Sequence, residues 1–105
     1  MAKKKTVFSK NGATLYWGNA TEVLRNHIDD ESIDLIFADP PYNIGKRFSN
    51  FVDKWPTEEA YADWCEEWLE LCIQKLSPSG SLYVMCSTQC MPHIDLLLRK
   101  KIEIL

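Results

Sequence analysis

The sequence predicts an α/β fold: a doubly wound, mostly parallel sheet, cut short inside its last strand. Three observations predict it. Short apolar runs alternate with helically spaced stretches along the 105 residues. The run from Ile33 to Ala38 is apolar on both faces apart from Asp34, as suits a central strand covered on two sides. Between Thr57 and Leu76, large side chains recur at steps of three and four, the spacing of a long helix.

The elements come in this order. Residues 1–12 read as a flexible basic tail carrying Lys3 to Lys5, and residues 13–105 as the folded part. Thr14 to Trp17 reads as a strand closed by Gly18. Asn19 to Asn26 reads as a short helix with Val23 and Leu24 on one side, capped by Asn19 or Thr21. After the strand from Ile33 to Ala38, residues 43–56 hold Gly45, Asn50 and Pro56 without a period and read as a loop. The long helix begins at Thr57, a capping residue, with Glu58 and Glu59 favourably placed in its first turn. Tyr61, Trp64, Trp68, Leu71, Cys72 and Lys75 supply its periodicity. Ser77 to Gly80 is expected to turn the chain into a strand from Ser81 to Cys86. A helix from Gln89 to Lys101 is expected next, with Pro92 in its first turn and Leu96, Leu97 and Leu98 facing inward. Ile102 to Leu105 resembles the start of another strand. A terminal strand cut at its fourth residue leaves an open sheet edge, so the chain is expected to be a piece of a longer domain.

Composition narrows the function classes. Apolar residues make up 46% of the chain, enough for a core, and a net charge of −3 excludes a globally basic surface. Any contact with nucleic acid must therefore be local. No apolar run approaches the roughly 18 residues that a membrane span needs, and Met1 to Lys5 lacks the apolar stretch of a signal peptide. The four cysteines read as reduced thiols of a cytoplasmic protein. Cys65 and Cys72 read as core thiols. Cys86, Cys90 and His93 have spacings that zinc could use, but no second close pair completes a tetrahedron, so no metal is expected. His27 reads as a charge partner for a helix end.

The chemistry concentrates at Asp39-Pro40-Pro41-Tyr42, directly after the most apolar strand. Ligands of such sheets bind beyond the carboxyl ends of the strands. Two prolines fix the backbone and remove two amide donors, leaving carbonyl oxygens as the free polar groups. Asp39 adds a carboxylate and Tyr42 an aromatic plate. A rigid loop rich in acceptors suits the exocyclic amino group of a nucleobase, which has two hydrogens to donate. Asp39 and the carbonyl of Pro40 can hold both hydrogens while Tyr42 stacks on the base. A base inside a duplex must first be flipped out. The bland alternative is a rigid turn with Tyr42 as a lid on the core. Lys46, Arg47 and Lys54, interleaved with Phe48, Phe51 and Trp55, read either as a mobile segment meeting phosphates or as a solvated loop over packed aromatics.

Ile33 to Gly45, including Asp39-Pro40-Pro41-Tyr42-Asn43-Ile44-Gly45, resembles the catalytic motif of the DNA amino-methyltransferases with permuted motif order, the beta class. Trp17-Gly18-Asn19-Ala20 resembles that family's Gly-Asp turn near the adenine of the cofactor, with Asn19 where Asp is usual. Gly80 to Ser87 resembles the next strand, whose end lines the pocket for the target base. The resemblance implies a Rossmann-like methyltransferase fold, of which residues 13–105 are the N-terminal part, and S-adenosylmethionine as cofactor. It implies Asp39, Pro40, Pro41 and Tyr42 as catalytic residues, and Gly18, Asn19 and Asp39 as cofactor-binding. Tyr42, Asn43, Lys46, Arg47 and Ser87 are then expected to bind the substrate. An Asp at the first motif position implies N6-methyladenine in DNA as the product, with cytosine N4 as the alternative. The Phe-x-Gly-x-Gly turn that holds the cofactor's methionine part is absent, and only 38 residues precede Asp39. That fits a permuted enzyme represented by its first third, and predicts that this piece alone is inactive.

The implied partner is double-stranded DNA with a flipped target base, in a restriction-modification setting that leaves open a partner endonuclease. The long helix, read as core packing with a wet acidic face, leaves open a homodimer. Two rival functions stand beside the first. Methyl transfer to ribosomal RNA or to protein glutamine would require a glycine-rich turn ahead of the catalytic loop, which this sequence lacks. A non-enzymatic remnant would differ from the enzyme in having no coding sequence downstream of Leu105.

Overall fold

The computed structural model describes residues 6–49 and 51–102. Strands β1 (Val7–Lys10) and β2 (Ala13–Tyr16) form an antiparallel hairpin in which Val7 faces Tyr16 and Lys10 faces Ala13. Asn11 and Gly12 turn it, with φ of 52° and 78°. Positive φ at both central residues is what a tight two-residue hairpin requires, and Asn-Gly adopts it at little cost. The basic tail expected over residues 1–12 is thus a strand in its second part, while Lys3 to Lys5 lie outside the described residues. The strand expected at Thr14–Trp17 belongs to this hairpin and not to the parallel sheet. The Asn-Gly pair between two β-prone runs was the overlooked signal.

Helix α1 (Ala20–His27) begins where expected. The Asn19 side chain caps it, accepting from the Thr21 amide at 2.9 Å. His27, in its last turn, stacks on Tyr16 with ring centroids 5.4 Å apart.

Strands β3 (Ile33–Ala38) and β4 (Leu76–Val84) pair in parallel, and helix α2 (Glu58–Lys75) connects them. A parallel pair needs such a crossover, and the two strands and the helix form one β-α-β unit. Among the described residues the parallel sheet has these two strands. Ile36 and Ala38 pack on the core, whereas Leu35 and Phe37 on the opposite face are 61% and 65% exposed. The two-sided cover expected of this strand is therefore one-sided here.

The turn expected at Ser77 to Gly80 lies within β4 as an irregularity. Ile33 faces Leu76, but Leu35 faces Ser81, so the intervening residues of β4 bulge out of register. Pro78 is tolerated there because it interrupts no regular ladder. Gly80 passes so close to β3 that a Cβ would lie 2.8 Å from the Ile33 carbonyl oxygen.

Helix α2 is the spine of the molecule. Thr57 accepts from the Ala60 amide at 3.0 Å, and Tyr61, Cys65, Trp68, Leu69 and Cys72 form its buried stripe. Lys75 is also buried along its stem, while its ammonium reaches Asp30 at 2.7 Å. Helix α3 (Met91–Arg99) adds Ile94 to the same core and Cys90, the residue capping its start, joins it, with Leu97 and Leu98 packed against it. Leu96, expected to face inward, is 60% exposed. Three consecutive residues at about 100° each cannot all meet one face of a helix. Ile102 sits in a bend after α3, and the rest of the strand expected at its end lies outside the described residues. No described helix is long and apolar enough to cross a membrane.

Burial raises the Cys65 thiol from about 9 to about 11. The folded protein then keeps a proton that the unfolded chain loses at lower pH. The associated stability is complete below about pH 9 and is lost as pH rises through about 11. Urea denaturation should show wild-type stability falling by on the order of 2 kcal/mol more than that of Cys65→Ala across this window. Parallel loss in both proteins would contradict the assignment.

Candidate active site

The ladder between β3 and β4 runs one bond past their paired residues, with the Met85 amide donating to Ala38 at 2.9 Å. Asp39 therefore leaves the sheet at the carboxyl ends of both strands. Its side chain is exposed, and the Tyr42 hydroxyl donates to Asp39 Oδ1 at 2.7 Å. That bond, with a smaller contribution from burial, raises the Tyr42 phenol above its ordinary range.

Each backbone group further along the loop has its own hold. The Tyr61 hydroxyl, from the first turns of α2, donates to the Pro41 carbonyl at 2.5 Å. The Tyr42 carbonyl accepts from the Ser87 hydroxyl at 3.4 Å and faces the Cys90 thiol at 3.8 Å. The Tyr42 amide donates to Asp53 Oδ2 at 3.3 Å. Asn43 takes φ of 59°, and its side-chain oxygen accepts from the Trp55 amide at 2.9 Å. Among the described residues the Pro40 carbonyl accepts no hydrogen bond.

The stretch expected to be a plain loop contains a small hairpin. The Gly45 amide donates to the Asp53 carbonyl, the Asp53 amide to that of Lys46, and Arg47 bridges to Val52. Phe48 and Phe51 stack near its tip at 4.6 Å between centroids, each a little over 40% exposed, with Lys46 Nζ 5.4 Å from the Phe48 ring. Trp55 instead packs under the loop, 4.9 Å from Tyr61 and 4.8 Å from Trp64. The packing of Trp55 agrees with the reading of a loop over packed aromatics.

Asp39, Tyr42, Asn43 and Ser87 thus gather at one sheet edge, and Lys46 and Arg47 stand exposed on the hairpin leading from it. Gly18 and Asn19 lie apart, in a cleft of about 280 Å³ lined also by Tyr16, Trp17, Glu22 and His27. Space over Gly18 is open. Asn19 Oδ1 is engaged by both the amide and the hydroxyl of Thr21. Its amide nitrogen is then the group left to meet a ligand, as a donor. Among the described residues no group of three or more His, Cys, Asp or Glu could hold a metal ion. The sequence reading missed Asp53, whose neighbours Val52 and Lys54 gave no sign of burial. It placed Tyr61 in the core without seeing that its hydroxyl reaches Pro41.

Fold and site together define an α/β protein with an Asp-Pro-Pro-Tyr loop at the tip of a parallel strand pair. Residues 33–104 match the DNA methylase family, and the chain belongs to it. It is 45% identical over 95 residues to the DNA adenine methyltransferase YhdJ of Escherichia coli, covering 90% of this chain and 32% of that protein. It is 32% identical over 99 residues to the Type II methyltransferase M.BamHI of Bacillus amyloliquefaciens, covering 94% and 23%. With the Type II methyltransferase M.HpaI of Haemophilus parainfluenzae it shares 35% over 86 residues, covering 82% and 27%. The chain thus spans about a third or less of the length of these relatives.

Proposed function

We propose that the complete protein is a site-specific DNA methyltransferase that moves a methyl group from S-adenosylmethionine to the N6 amino group of adenine. The observation that carries this reading is the exposed Asp39 carboxylate at the tip of β3, next to a Pro40 carbonyl that accepts no hydrogen bond among the described residues. Two fixed acceptors suit the two hydrogens of an amino group and leave its lone pair directed away from the loop. Tyr42 would stack on the base, which must leave the duplex to reach it. Asn43 and Ser87 would shape the base pocket by holding the loop backbone, as their bonds to Trp55 and Tyr42 support.

The cleft at Gly18 and Asn19 fits an adenosyl group in its open space, its flanking rings and its amide donor. Gly18, Asn19 and Asp39 are the residues we assign to the cofactor, which supplies an electrophilic methyl group when bound. The free state of all four cysteines supports a reducing compartment, the cytoplasm. The Type II names of two relatives support a restriction-modification setting.

The test is to incubate the complete gene product with DNA and S-adenosylmethionine, digest the DNA and identify the methylated nucleoside. N6-methyladenine is expected; N4-methylcytosine would move the target to cytosine, and unmodified DNA would refute the reading. Lys46 and Arg47 would meet phosphates. Replacing both by Ala should weaken DNA binding across sequences and lower the slope of log affinity against log salt by about 2. An unchanged slope would remove them from the interface.

A further inference from the structure

The catalytic tetrapeptide is short of donors. Pro40 and Pro41 have no amide hydrogen, so the Tyr42 amide is the first N–H after Asp39 by which the protein can grip the loop. Asp53 grips it, through Oδ2 at 3.3 Å. Asp53 is 2% exposed and lies eleven residues downstream, where its own backbone closes the base of the basic hairpin through Gly45 and Lys46. Its other oxygen, Oδ1, is buried without a partner among the described residues. A buried carboxylate with one acceptor unmade is a poor device for stability alone, because desolvating that oxygen is uncompensated. A packed apolar residue would serve a purely structural purpose better.

We propose that Asp53 is a positioning residue for methyl transfer, holding the Tyr42 amide so that Asp39 and the Pro40 carbonyl keep the spacing that receives the target amine. The proposal rests on the functional reading above. Tyr61 and Ser87 restrain the loop through the carbonyls of Pro41 and Tyr42, and Asp53 restrains it from the amide side. Removing the amide hold frees the loop to pivot about the two carbonyl contacts. Small displacements of reacting groups are costly in rate. The same residue ties the Lys46–Val52 hairpin to the loop, so an arrangement of that hairpin on DNA is transmitted to Tyr42 through one side chain.

The test compares wild type, Asp53→Ala and Asp53→Asn in the complete gene product. Asn keeps an oxygen acceptor for the Tyr42 amide. Asp53→Ala should lower kcat about tenfold or more, with KM for DNA and for S-adenosylmethionine within about threefold of wild type, and Asp53→Asn should restore most of the loss. Hydrogen exchange at the Tyr42 amide, read by NMR, should be slowed in wild type and in Asp53→Asn and fast in Asp53→Ala. An unprotected Tyr42 amide in wild type would overturn the proposal whether or not the Ala variant folds. So would a kcat for Asp53→Ala within threefold of wild type, or an equal loss in Asp53→Asn. A wild-type protein that transfers no methyl group would defeat the functional reading instead, and amide exchange would still decide whether Asp53 holds the loop.

Discussion

Asp39→Ala should lower methyl transfer by about a thousandfold while leaving the protein folded. The carboxylate lies at the surface of the strand tip, and its described side-chain bond is to Tyr42. Its loss leaves no cavity in the core built by Tyr61, Cys65, Leu69 and Ile94. What disappears is one of the two acceptors proposed for the target amine. The Pro40 carbonyl alone cannot hold both hydrogens, and the amine regains rotational freedom that the loop had removed. Single-turnover methylation with saturating S-adenosylmethionine measures the loss. A variant retaining near-wild-type rates would show that the amine is held elsewhere.

Tyr42→Ala should cost about a hundredfold, the loss expected when a stacked base loses its ring. Tyr42→Phe and Tyr42→Trp should stay within about tenfold of wild type, because a ring remains. The structure sharpens this series. The Tyr42 hydroxyl donates to Asp39 Oδ1, one of the acceptors proposed for the target amine. An incoming amine must displace it or use the other oxygen. Phe at this position frees that oxygen, so Tyr42→Phe should bind a flipped adenine at least as well as wild type. The raised phenol keeps its proton, and with it this contact, to higher pH than an ordinary tyrosine. Equal losses in all three variants would remove the stacking role.

Much of the fold was legible because its signals are local. The caps Asn19 and Thr57, the apolar run of β3 and the stripe of α2 each declare themselves within one element. The hairpin of β1 and β2 was legible in principle from Asn11-Gly12 but was obscured by the lysines ahead of it. The fate of Ser77 to Gly80 depends on register with a distant strand, which no local pattern encodes. The face of β3 carrying Leu35 and Phe37 reads as buried in sequence and is bare in the described residues, because cover is a property of what packs above it.

The site shows the same division. Asp39 to Tyr42 was legible because proline and aspartate act on their own backbone. Asp53 was not, since its burial arises from the closure of a hairpin between Gly45 and itself, and the hold of Tyr61 on Pro41 spans twenty residues. Asn19 was legible as a cap. The structure shows the cap using its oxygen, which leaves the nitrogen for anything else.

The most direct measurement of the central claim uses DNA copied with N6-methyladenine in place of adenine throughout. Each adenine amine then has one hydrogen for two acceptors and already carries the product methyl group. The complete protein should transfer labelled methyl groups to ordinary DNA and essentially none to this substrate. Undiminished incorporation into the substituted DNA would mean that the loop at Asp39 grips some other group.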